Sequence, residues 1–376
     1  MDHFDVIVVG VGAMGSPACF ELARRGVRVL GIEQFDVPNE LGSSHGLSRM
    51  IRLSYYEHPD YVPLLMRAYE RWEELEKLSG EKLLHLTGGL YMGPVGCELV
   101  EGSARAAREH GLEHEMLDGG RINKRFGVFT VPADWMGLLE ERAGFLLPEQ
   151  VIKAYAHLAR ARSAEIHERE KLVEWSSDGS GVWVKTERGE YRAGKIVFCG
   201  GAWAGQLLRD LKIGLTVTRQ VLLWFDALRR REFELGKIPV WAIERSGGGL
   251  YYGLPVMAGE KGVKISCHWP GEKTDPDHVA RELQEGEERE VAEIATTYLP
   301  GATGRVVDYR VCMYTNSPDS HFIIDKHPND ERVVLACGFS GHGFKFASVV
   351  GEILADLALT GRTALPAKFL GLDRFR

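Results

Sequence analysis

The apolar run Val6-Ile-Val-Val9, within residues 4–9, predicts a buried parallel strand. Residues Gly15 to Arg25 follow as a helix, and Val27 to Ile32 as a second strand ending in Glu33, which makes a βαβ unit. Tyr61, Leu64, Leu65, Ala68, Trp72 and Leu75 recur at spacings of three and four, so 60–78 reads as an amphipathic helix with a core-facing stripe. From about 83 to 145 this order is lost among Gly88-Gly89, Gly119-Gly120 and short alternating runs, where a second domain is expected to intrude. Strands predicted over Ile166 to Val173, Val182 to Lys185 and Lys195 to Phe198 return to the first sheet. The last enters a glycine turn, Gly200-Gly201-Ala-Trp203, and a helix through Leu208. Residues 216–225 and 250–268 read as antiparallel strands and 279–298 as a charged helix, completing the intruding domain. Val333 to Cys337 is a final strand, running into Gly338-Phe-Ser-Gly-His-Gly-Phe-Lys345.

The expected fold is α/β, a Rossmann-like dinucleotide-binding domain with an interleaved α+β substrate domain carrying a mostly antiparallel sheet. Residues 1–82, 145–215 and 308–376 are assigned to the first, and 83–144 and 216–307 to the second. A chain of 376 residues is long enough for two such domains. Its 46 Lys plus Arg against 53 Asp plus Glu leave a net charge of -7 and no basic stripe, which argues against a nucleic-acid partner. The N-terminus lacks a cationic leader, and its apolar run breaks at Gly10, far short of a membrane span, so a soluble cytoplasmic protein is expected. Six cysteines are scattered without a CxxC pair, as for free thiols, and His110 and His114 read as surface residues rather than ligands; no metal is expected.

Gly10-Val-Gly-Ala-Met-Gly15 gains weight from its context, between a strand and a helix with Glu33 closing the next strand. Gly10 permits the tight turn, Gly12 lets backbone approach a pyrophosphate, and Gly15 lets helix and strand pack; the helix N-terminus offers N–H groups to phosphate. Glu33 would accept from ribose hydroxyls. The loop Gly42-Ser-Ser-His-Gly-Leu-Ser-Arg-Met-Ile-Arg52 carries Arg49 and Arg52, which share a face if the segment turns helical, and arginines beside a dinucleotide point to anion recognition. Lys264, Ser266 and His268 point to one face of a strand, toward either a site or water. The second glycine turn, with His342 and Lys345, lies where a further ring system would sit, which favours a flavin over a nicotinamide dinucleotide.

Together, His45, Arg49 and Arg52, the Tyr252-Gly-Leu-Pro255 turn, Lys264 with His268, Cys312-Met-Tyr314 with His321 to Asp325, and Gly338 to Lys345 resemble the monomeric sarcosine oxidase and N-methyltryptophan oxidase family, over nearly the whole chain. The resemblance implies a monomeric FAD oxidase of secondary amino acids, using O2 and releasing H2O2, with sarcosine as the default substrate. It implies a thioether from Cys312 to the flavin, with His45 and Arg49 against the ring. Gly10, Gly12, Gly15 and Glu33 would hold the ADP half, and Ser43, Ser44, Val173, Gly200, Gly201, Trp203, Gly341 and Lys345 the remainder. Arg52 and Lys345 match the pair that clamps the substrate carboxylate, Tyr252, Tyr314 and His268 match pocket residues, and Lys264 matches the lysine that promotes oxygen reduction. Leu47-Ser48, Ser266-Cys267 and a turn one residue longer between Tyr252 and Lys264 depart from the family pattern and leave substrate size open. Competing expectations are a cyclic or bulkier substrate such as pipecolate, proline or N-methyltryptophan, a non-catalytic dinucleotide-binding protein, and a nicotinamide dehydrogenase.

Overall fold

The computed structural model describes residues 2–269 and 271–375. The first strand, Asp2–Val9, lies between Glu190–Phe198 and Val29–Ile32, parallel to both. Its side chains alternate between two cores: Val6 and Val8 pack under the helices, while Phe4, Ile7 and Val9 pack on the opposite face. Glu165–His167 extends the sheet beyond Val29–Ile32, and Asp330–Cys337 joins along Ile196 to Phe198, both in parallel. The other half of Glu190–Phe198 continues into an antiparallel meander with Gly181–Thr186 and Leu172–Asp178. Helices Gly15–Arg24, Pro148–Arg160 and Ala347–Thr360 cover one face, and the stripe expected on the long helix Val62–Ser79 is buried there too.

A nine-stranded sheet forms the second layer of the molecule, with Thr216–Phe225 pairing with three of its other strands. That strand pairs antiparallel with both Val263–Trp269 and Val306–Asn316, and among the described residues the one parallel strand pair of this sheet is Val240–Glu244 with Gly89–Gly93. The mostly antiparallel character expected for the intruding region is therefore present. Val306–Asn316 belongs to this second sheet, and the chain rejoins the first sheet at Ile323–His327. A small third sheet, Arg49–Ile51, Gly144–Leu146 and Leu84–Leu86, lies between the two.

The charged helix expected over 279–298 is confined to Glu287–Tyr298. Gly286 caps it in the left-handed region, and the Arg219 guanidinium, 61 residues away in sequence, takes the Ala280 and Glu282 carbonyls that a longer helix would have used. No described helix is long and apolar enough to cross a membrane.

Candidate active site

A cavity of about 570 Å3 follows the ends of the first-sheet strands. Such a crevice beyond the carboxyl ends of parallel strands is where open α/β folds bind dinucleotides. At one end lies the Gly10 turn. Gly10 has φ +87, and a Cβ there would sit 2.4 Å from the Cys199 carbonyl. A Cβ on Gly15 would lie 1.8 Å from the Gly10 oxygen, so only glycine lets the helix pack this closely. Gly12 differs: a Cβ there would meet no heavy atom within 4 Å, because the residue faces the cavity. Glu33 is buried beside it, its two oxygens accepting from the Val11 and Phe35 N–H groups, and burial raises its carboxyl above the ordinary value.

Ser43, Ser44, Arg49, Val173, Gly200, Gly201, Trp203 and Gly341 also line the cavity. Gly341 has φ +79, and a Cβ on it would strike the Tyr314 ring, another wall of the cavity. The sequence reading missed Gln34, Asn39, Lys171, Met313 and Ser340, which line it as well. Lys171 could have been found from its place two residues before Val173; the others carry no signal of their own.

Arg49–Ile51 is a strand, not a helical turn, so Arg49 and Arg52 face opposite ways. Arg49 turns to the cavity and donates to the Ser43 and Ser48 carbonyls. Arg52 turns away into a buried aromatic box, with its Cζ 4.5 Å from the Tyr55 ring centroid and 4.6 Å from that of Tyr56. It donates to Ser54 O at 2.9 Å and pairs with Glu57 at 2.6 Å. Burial opposes its charge, but Glu57 and the neighbouring phenols outweigh burial and its pKa lies above the ordinary value. Lys345 reaches the same ring, with Nζ 5.2 Å from the Tyr55 centroid and 2.7 Å from the His342 carbonyl. Burial, with help from Arg52, lowers the Lys345 pKa to about 7. Glu57 was not foreseen, since its pairing with Arg52 depends on the path of the loop between them.

Lys264, Ser266 and His268 do share a strand face, but that face is buried, which excludes the water-facing alternative. Lys264 Nζ donates to Gly46 O at 2.7 Å and Ser48 O at 2.8 Å and lies 5.3 Å from the Trp224 ring centroid. Burial, reinforced by Arg49, brings its pKa down to about 7. His268 Nδ1 lies 3.0 Å from the Tyr314 hydroxyl, and burial holds the imidazole neutral with a pKa of about 3. Tyr252 packs edge-on against His268 with ring centroids 6.3 Å apart. Cys312 sits among Leu222, Trp224 and Tyr314; burial pushes its thiol up, although Arg49, Lys264 and Arg281 each pull it down. Arg52, Lys264, Lys345, His268, Tyr252, His45 and Cys312 all lie behind the cavity wall rather than in it.

His45 is fully buried, and neither ring nitrogen makes a well-formed hydrogen bond within the protein. Burial and the nearby Arg49, Arg281 and Lys264 charges lower its pKa to about 3, leaving a neutral ring with a donor and an acceptor to offer. An open backbone cradle at Gly12 and a guanidinium in a long cavity, with a buried neutral imidazole behind its wall, fit a dinucleotide carrying a polar ring system.

The family described as "DAO: FAD dependent oxidoreductase" matches residues 5–357. A "Monomeric sarcosine oxidase" of Streptomyces avermitilis is 42% identical over 366 residues, covering 96% of this chain and 95% of that protein. An "N-methyl-L-tryptophan oxidase" of Yersinia pestis is 33% identical over 377 residues, covering 99% of this chain and 100% of that protein. Among solved structures, NikD, described as an unusual amino acid oxidase essential for nikkomycin biosynthesis, superposes with a TM-score of 0.87 at 26% identity, covering 99% of this chain and 98% of that one. With glycine turns, cavity and sequence all agreeing, the chain belongs to the FAD-dependent oxidoreductases, in the branch related to the monomeric sarcosine and N-methyl-L-tryptophan oxidases.

Proposed function

We propose that the protein oxidises the N-methyl C–N bond of sarcosine or a similar small secondary amino acid. The overall change is R–NH–CH3 + O2 + H2O giving R–NH2, formaldehyde and H2O2. FAD, when bound, supplies the two-electron acceptor. One observation carries the reading: two cations, Arg52 and Lys345, lie against the same buried Tyr55 ring and both act on the single Glu57 carboxylate. A carboxylate entering there competes with Glu57 for the Arg52 fork and gains Lys345 as a second partner. Holding the carboxylate fixes the position of the methyl carbon one amine away, which is the orienting part of catalysis. Tyr252, Tyr314 and His268, which pack on one another, would supply apolar and hydrogen-bonding surface to the same substrate. Burial lowers the pKa of His268 to about 3, far below its ordinary value, so it accepts a hydrogen bond from Tyr314 or the amine without competing for a proton at pH 7. Lys264 is the residue we assign to oxygen reduction, as a fixed ammonium that stabilises negative charge developing on O2. The assignment of residues 1–82, 145–215 and 308–376 to cofactor binding and of 83–144 and 216–307 to the substrate is part of the same proposal, with Val306–Asn316 shared through its pairing in the second sheet.

Peroxide formation measured over a panel of sarcosine, pipecolate, proline and N-methyltryptophan tests the substrate. Sarcosine is expected to give the highest kcat/KM; a bulky substrate ahead of it by tenfold or more overturns the assignment.

Carboxylate affinity should depend on pH through Lys345. The ammonium is the binding form, so affinity is constant below its pKa of about 7 and falls by up to about tenfold per pH unit above it. Titrating acetate against the flavin absorbance between about pH 6 and about pH 9 reads this directly. An affinity that does not change across that range removes Lys345 from the clamp.

We also assign Cys312 as the point of covalent flavin attachment. The three cations around its sulfur favour the thiolate that such a bond requires, although burial opposes them. Acid precipitation of the purified protein should leave the yellow colour in the pellet, and Cys312→Ala should release it to the supernatant. A colourless wild-type pellet under a yellow supernatant rejects the linkage and leaves the fold untouched.

A further inference from the structure

Glu140 closes the strand Met136–Glu140 of the second sheet and is buried to 2% exposure, yet among the described residues no cation pairs with its carboxylate. Burying a carboxylate without a counter-charge is costly unless donors replace its water. Four do. Oε1 accepts from the Leu53 N–H at 3.0 Å and the Tyr91 hydroxyl at 2.8 Å, and Oε2 accepts from the Ser54 N–H at 2.8 Å and the Ser54 hydroxyl.

All four donors lie around Arg52. Ser54, held twice by Glu140, presents its carbonyl to one nitrogen of the Arg52 guanidinium at 2.9 Å. Tyr91, held through its hydroxyl, places its ring 5.6 Å from the same guanidinium. One side of the fork is thus anchored through a chain that begins at Glu140, and the other side is free to exchange Glu57 for a ligand. We propose that Glu140 is a positioning residue for the carboxylate clamp: it fixes the acceptor and the aromatic surface that aim the outer nitrogen of Arg52 at the substrate. The inference rests on the reading of Arg52 as that clamp. Glu140 does not line the cavity and lies 88 positions from Arg52 in sequence, so no local pattern announces it.

Glu140→Gln keeps the shape but replaces one acceptor oxygen with an NH2 group that faces N–H and O–H donors. In the holoenzyme, calorimetric titration with acetate should show a Kd raised about tenfold or more, matched by the rise in KM for sarcosine, with kcat at saturation within about threefold of wild type. The double variant Glu140→Gln/Arg52→Gln should bind acetate no more weakly than Arg52→Gln alone, since both act through one contact. Tyr91→Phe keeps the ring and removes one donor, and is expected to raise the Kd by about twofold to fivefold if Glu140→Gln proves too unstable to titrate. An unchanged Kd in whichever of these variants folds, or losses that add independently in the double variant, overturns the proposal. If Arg52→Gln itself binds acetate as wild type does, the clamp reading fails and takes this inference with it. If Arg52→Gln weakens binding and Glu140→Gln does not, only this inference fails.

Discussion

Replacing Arg52 with glutamine is expected to lower kcat/KM for sarcosine by about 30-fold to about 3,000-fold. The lower bound is the loss of one desolvated charge-assisted contact, and the upper that of a buried fork between paired partners, about 2–5 kcal/mol in all. The guanidinium is enclosed by Tyr55, Tyr56 and Tyr91, where water cannot replace it as a donor. Glutamine reaches part of the way but offers neither a charge nor a planar fork. Glu57 is then left buried beside a neutral amide, and its carboxyl, now held below the ordinary range by Arg52, should rise. Arg52→Lys should recover the charge but not the geometry, and fall between the two. The measurement is steady-state kinetics with flavin content and thermal stability as controls. A loss of less than about threefold in kcat/KM, with flavin content intact, removes Arg52 from substrate binding.

The second large effect belongs to oxygen. Lys264→Met should slow reoxidation of the reduced enzyme by about 100-fold to about 1,000-fold, the range seen when one preorganised donor is removed from a site of developing charge. Anaerobic reduction by substrate should change by less than about tenfold, because the lysine lies on the Trp224 side of the site, apart from the Arg52 and Lys345 pair. Methionine has nearly the same length. It leaves the Gly46 and Ser48 carbonyls without their donor but also removes a buried charge, so the net change in stability is small against the kinetic effect. Stopped-flow measurement of the two half-reactions separates the roles. Equal losses in both would remove the assignment to oxygen.

Part of the site was legible because its chemistry is local. Gly10 and Gly15 are demanded by a turn and a close helix crossing within five residues, and Glu33 lies one strand away, so spacing alone located them. Arg49 and Arg52 were legible as candidates but not in their geometry. Arg49 opens a three-residue strand held by Gly144–Leu146 and Arg52 directly follows it, so the extended chain sends one to the cavity and the other into the aromatic box. Residues 279–286 carry a helical pattern, yet Arg219 captures their carbonyls from another strand, a competition invisible to periodicity. Glu57, which pairs with Arg52, and Glu140, which accepts from Ser54 behind it, have no motif at all.

By itself, the order of residues determined the two nucleotide-type turns, the alternation of strands and helices that makes a Rossmann-like sheet, and the identity of the charged side chains available to a ligand. Those features depend on contacts within a few positions of the chain, where turn sterics and apolar period decide the outcome. Only the tertiary structure decided which cations meet. The convergence of Arg52 with Lys345 on Tyr55, and the enclosure of Lys264 by the Gly46–Ser48 loop, join segments far apart in sequence. Their burial, not their chemistry alone, brings both lysines near neutrality and gives each a charge that binding or pH can shift.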